Sequence, residues 1–138
     1  MRQYRSALDY IFMEEKPYRP FQISCGLREG YDISNRVHTV EEARTVIQNW
    51  LERKTRDGKK VAVGSLLEGQ FIYPWVEGQN VSSRYEPAFH YKGIVREDAS
   101  DEEAKEMLAD LAKELAQKLN QERVHVEFCS MYFLFENK

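Results

Sequence analysis

Cysteine, glycine and proline are scarce here, and long apolar runs are absent. Two cysteines in 138 residues, Cys25 and Cys129, cannot make a disulfide framework. They imply a reducing, cytoplasmic setting. No run of apolar residues is long enough to cross a bilayer, and the opening MRQYRSALDY lacks the apolar centre of a signal peptide. Nor is positive charge in excess: 20 Lys and Arg stand against 23 Asp and Glu, a net −3. That balance argues against binding a nucleic-acid duplex through its backbone, which rewards a basic surface. Seven glycines and four prolines, scattered, leave no linker or low-complexity segment. The length suits one domain over 1–138, with residues 1–16 as an N-terminal helical extension.

What is present is periodic. Tyr4, Ala7, Leu8, Ile11 and Phe12 have helical spacing, and Pro17 and Pro20 end that helix. FQISCGL (21–27) alternates as a strand. REGYDISNRV reads as a loop. Thr39 with Glu42 spells a capping box, and Val40, Ala43, Val46, Ile47, Trp50 and Leu51 make the stripe of a helix that closes at Asp57-Gly58. VAVGSLL (61–67) and QFIYPWV (70–76) read as strands. A turn at Glu77-Gly78-Gln79-Asn80 leads into VSSRY, and Pro74 confines this hairpin to a sheet edge. FHYKGIV (89–95) is a further strand. Ser100 and Glu103 cap a second helix with the stripe Ala104, Met107, Leu108, Leu111, Leu115 and Leu119, and VHVEFCSMYFLFE is the last strand. The expected fold is α+β: a ferredoxin-like split βαβ with an inserted β-hairpin, two helices on one face of a mainly antiparallel sheet.

Alternation then sorts side chains into two faces. Phe21, Ile23, Cys25, Phe89, Tyr91, Val95, Val124, Val126 and Phe128 turn to the helices. Gln22, Ser24, Arg28, His90, Lys92, His125 and Glu127 turn away. An open face with two histidines, a lysine and a carboxylate suits anion binding or proton transfer, although the wet side of an antiparallel sheet is normally polar. Metal ligation by His90, His125 and Glu127 is allowed by residue type, but the spacing does not ask for it. The C-terminal strand is apolar on both parities after Phe128, so either the N-terminal helix or another subunit must cover it. A homo-oligomer is the expectation.

Arg28, Arg84 and Arg123 stand at strand ends, where a guanidinium can grip a phosphate. Phe71, Tyr73, Trp75 and Tyr85 on the hairpin can stack on a base, anchor a partner or simply fill gaps. Cys25 has no base beside it in sequence and reads as an inert buried thiol.

Several short features, in order, resemble the Thoeris anti-defence proteins of phages. They are Cys25-Gly26-Leu27, the helix TVEEARTVI, Gly69-Gln70-Phe71-Ile72-Tyr73, Gly78, Glu86, and Leu119-Asn120-Gln121-Glu122 followed by Arg123-Val124. The likeness spans residues 21 to 128 in outline; the N-terminal helix and aromatic C-terminal extension lie outside it. It implies a non-enzymatic, oligomeric sponge that sequesters a cyclic ADP-ribose signal in the cytoplasm of an infected cell. On that reading Arg28, Arg84 and Arg123 would meet a diphosphate, Phe71 or Tyr73 a purine, and Glu86, Asn120 or Gln121 the ribose hydroxyls. No cofactor is expected. Two alternatives remain open: a small tautomerase- or lyase-like enzyme using His90, His125 and Glu127, and an interaction module that inhibits a host factor.

Overall fold

Side-chain alternation and two capped helices dictate the architecture. The structure, a computed structural model, describes residues 15–136. The expected N-terminal helix, up to residue 14, lies outside them. The order is β1 (Pro20–Gly26), α1 (Val40–Arg56), β2 (Gly64–Glu77), β3 (Asn80–Ile94), α2 (Asp101–Lys118), β4 (Arg123–Phe128) and β5 (Met131–Glu136). The strands form one antiparallel sheet in the order β2-β3-β1-β4-β5, with both helices on one face. This is the expected α+β, ferredoxin-like arrangement with β1 at its centre.

The core lies between that face and the helices. Phe21, Ile23, Cys25, Phe89, Tyr91, Val124, Val126 and Phe128 are buried against Ala43, Ile47 and Trp50 of α1 and Leu108, Leu111 and Leu115 of α2. Each large apolar side chain so enclosed contributes about 1.5–3 kcal/mol. Polar atoms that enter the core find partners: the Tyr91 hydroxyl donates to Ala62 O at 2.7 Å, and Trp50 Nε1 to Asp110 at 2.8 Å.

Ser100 and Glu103 form a complete capping box. At α1 only half of the expected box forms. Thr39 accepts from Glu42 N, but the Glu42 carboxylate turns to His38 and Arg36. The His38 imidazole and the Arg36 guanidinium, both nearby, outcompete the Thr39 backbone N–H.

Two strand readings need correction. The four runs between the helices are two long strands, and the expected hairpin is their outer half. β1 pairs with β3 only from Ala88 to Ile94, so residues 70–77 and 80–87 continue past the sheet as a two-stranded arm of roughly 25 Å. Pro74 sits on β2, an edge strand, as its missing N–H requires. At the other end, VHVEFCSMYFLFE turns at Cys129, which has φ 55°, and folds back as β4 and β5. The doubly apolar pattern is therefore that of an edge strand. Phe133 and Phe135 rest on the core while Tyr132 and Leu134 stay exposed.

Candidate functional site

The open face of the sheet carries the expected polar residues in two cross-strand rows. Lys92, Gln22 and Glu127 are aligned on β3, β1 and β4, and His90, Ser24 and His125 one row further along. Ser24 Oγ lies 2.8 Å from His90 Nδ1, and Gln22 Nε2 donates to Ser24 Oγ at 3.1 Å. His125 Nδ1 meets the Tyr132 hydroxyl at 2.6 Å. The two imidazoles do not touch each other. Phe71 from β2 presents its ring between them, with centroids 6.1 Å from His90 and 6.0 Å from His125 and steeply tilted planes. Glu127 stands in the neighbouring row, and no three His, Cys, Asp or Glu side chains among the described residues converge as a metal site would require.

Where β1 ends and the arm begins, the face deepens into a hollow of about 170 Å³. The arm contributes Phe71, Tyr73 and Glu86, the segment after β1 contributes Arg28, Gly30 and Tyr31, the turn before β4 contributes Gln121 and Glu122, and the start of β4 contributes Arg123 and His125. Six of the eight residues expected to bind ligand meet here: Arg28, Phe71, Tyr73, Glu86, Gln121 and Arg123. The other two stand apart. Arg84 lies further out on the arm, 3.6 Å above the Trp75 ring and paired with Glu77. Asn120 donates to Glu29 Oε1 at 3.1 Å. Tyr85 pairs across from Ile72, on the arm face opposite to Phe71 and Tyr73.

Gly26 forms the floor. A Cβ there would lie 3.0 Å from Glu86 Oε1 and 3.1 Å from Gln121 Oε1, so both polar ends rest on the missing side chain. This close approach gives the Cys25-Gly26-Leu27 feature its physical reason. Glu86 is half-buried, and the loss of water raises its carboxyl above the usual range while the Arg28 charge pulls the other way. Arg28 only partly offsets the burial of this carboxyl. His125 moves oppositely: burial first, then Arg123, lowers its imidazole, with Glu127 opposing. Its surroundings beside the hollow favour the neutral imidazole. Beneath them burial, with Glu86 adding, pushes the Cys25 thiol up to about 12, which makes it inert as expected. Sequence reasoning missed Tyr31, Glu122 and the role of His125 at this hollow. Tyr31 and Gly30 sit in a loop without periodicity, so only the fold could bring them here.

No protein-family profile and no curated protein matches the chain. Solved structures share its fold, among them two of phage SAM lyases. A phage SAM lyase in complex with S-methyl-5′-thioadenosine superposes with a TM-score of 0.67 at 20% identity, over 92% of this chain and 97% of that one. The apo state of a phage SAM lyase gives 0.66 at 20% identity, over 93% and 98%. This finding corrects the resemblance to Thoeris anti-defence sponges: the shared scaffold is that of a lyase. The sequestering role and the preference for a non-enzymatic protein, both built on that resemblance, fall with it.

Proposed function

We propose that this chain is a lyase acting on S-adenosylmethionine, with the hollow over Gly26 as the seat of the adenosine and sulfonium. The observation that carries the proposal is a fold shared end to end with a lyase that binds methylthioadenosine, together with a hollow of nucleoside-binding chemistry on the open sheet face. Phe71 and Tyr73 offer aromatic faces to a purine or to a sulfonium, which is drawn to a ring quadrupole. Glu86 supplies a carboxyl whose burial Arg28 only partly offsets, and a cationic ligand would complete that balance.

Methylthioadenosine is S-adenosylmethionine without its four-carbon amino-acid chain. The bond broken is therefore the one from sulfur to that chain, and its electron pair returns to sulfur, which becomes neutral. A lyase adds no water, so the carbon left electron-poor is satisfied from within the substrate. Either the substrate's own carboxylate closes on it, or a neighbouring C–H yields its electrons and its proton to a base. His125, which lines the hollow and whose neutral form burial favours, is the base on this chain for the second route. Loss of charge in the transition state favours a partly dry, aromatic wall over open water.

A hollow of about 170 Å³ is smaller than the roughly 300 Å³ at which small-molecule sites begin. The opposite face of the arm, turned away from the hollow, shows Ile72, Val76, Val81 and Tyr85, each more than 60% exposed, and suits contact with a second copy. A two-stranded ribbon is marginal without such support. We read the protein as a homo-oligomeric, one-domain enzyme. Two free thiols suit a cytoplasmic setting, and no described helix is long and apolar enough to cross a membrane.

The test is incubation with S-adenosylmethionine followed by chromatography. Methylthioadenosine should accumulate mole for mole with substrate loss, and the second product, lactone or alkene, reports the route. Substrate decay no faster than in buffer would overturn the proposal.

A further inference from the structure

The segment from β1 to α1 is tied down more firmly than a surface loop needs. His38 is only 4% exposed, and both ring nitrogens face carboxylates: Nε2 to Glu29 Oε2 and Nδ1 to Glu42 Oε2, each at 2.6 Å. Two N–H donors satisfy that arrangement. Glu29 uses its other oxygen to accept from Asn120 Nδ2 at 3.1 Å, which ties the segment to the turn between α2 and β4. Backbone bonds from Glu29 N to Arg36 O and from His38 N to Leu27 O close the base of the loop. Arg28 stands between these ties. It lines the hollow, its Nε is buried, and no described residue accepts from that nitrogen. A buried donor left open in a segment held this tightly is a donor kept for something else.

We propose that Arg28 receives the carboxylate of the ligand's amino-acid chain, and that His38 is the positioning residue which fixes Arg28 for it through Glu29 and Glu42. This rests on the lyase reading, because S-adenosylmethionine carries one anionic group, the carboxylate that methylthioadenosine lacks. A planar guanidinium with an open N–H matches a carboxylate in shape and charge. Arg28 would hold one end of the substrate while the aromatic residues hold the other, leaving the sulfur–carbon bond between the two grips.

Two stable compounds separate the grips by calorimetry. S-adenosylhomocysteine keeps the amino-acid chain without the sulfonium charge, and methylthioadenosine lacks the chain. Arg28→Gln should weaken S-adenosylhomocysteine about tenfold or more and leave methylthioadenosine within about twofold. His38→Gln should reproduce that selectivity at about three- to tenfold, with faster amide exchange across residues 28–38. If His38→Gln fails to fold, Glu29→Gln opens the same clasp with the imidazole in place and should give the same pattern. Equal losses for both compounds, or no loss, would overturn the Arg28 grip while the lyase reading stands. Wild-type protein that binds neither compound would remove the lyase reading and the grip together. Selective loss in His38→Gln with unchanged exchange would overturn the positioning role.

Discussion

Replacing Gly26 by alanine separates the site from the scaffold. The added Cβ meets only the ends of two flexible side chains, Glu86 Oε1 at 3.0 Å and Gln121 Oε1 at 3.1 Å. Each must retreat by a few tenths of an ångström. Stiffening the unfolded chain contributes about 0.4–1 kcal/mol in favour of the variant, and the displaced side chains cost a similar amount. Net stability should change by less than about 1 kcal/mol. On the proposed lyase activity, turnover should not be spared. A misplacement of about 1 Å can cost a hundredfold, so a shift of tenths at the floor predicts a loss of about three- to thirtyfold. Gly93→Ala is the contrast. There the new Cβ meets the Val63 carbonyl and the Phe21 ring, which cannot swing away, and the fold should lose about 2–4 kcal/mol. Urea unfolding beside turnover of S-adenosylmethionine reads both variants. Gly26→Ala with full activity, or unfolding as early as Gly93→Ala, would refute the floor assigned to Glu86 and Gln121.

Other outcomes follow from the same geometry. Glu86→Gln should raise the melting temperature at neutral pH, because burial penalises the ionised form, and on the proposed lyase reading should abolish turnover. Trp50→Ala should destabilise by about 3–5 kcal/mol in chemical unfolding, since it empties a fully buried site, while Asp110 keeps its pairing with Lys54. Ser100→Ala should cost about 1 kcal/mol by the same measurement, through loss of the α2 capping box. Glu29 is held below the ordinary glutamate value of 4.5, chiefly by the Asn120 hydrogen bond, and Glu42 chiefly by that of His38. A depressed carboxylate contributes stability above its unfolded value and loses it as pH falls through its folded one. Thermal melts should therefore decline below about pH 4.5, with a shallower decline in His38→Gln.

Sequence periodicity by itself determined both described helices, their caps, and which residues of β1, β3 and β4 turn to the core. These are local properties: a period of two or 3.6 residues fixes a face wherever the element ends up. Residue type at strand ends and on the hairpin also picked out Arg28, Phe71, Tyr73 and Arg123 of the hollow, whereas Glu86 and Gln121 entered only with the resemblance to sponges. Only the tertiary structure decided that His90 and His125 are separated by the Phe71 ring, that Arg84 stacks on Trp75, and that Asn120 and His38 converge on Glu29. It decided too that the last strand folds back at Cys129, since an edge strand and a doubly buried strand share one apolar pattern. Those outcomes depend on which partners lie across the sheet or across a loop, and such distances do not appear in a linear period. The likeness to sponges failed for the same reason. Short motifs record turn chemistry, whereas the course of the whole chain, shared with a lyase over 92% of its length, is set by packing.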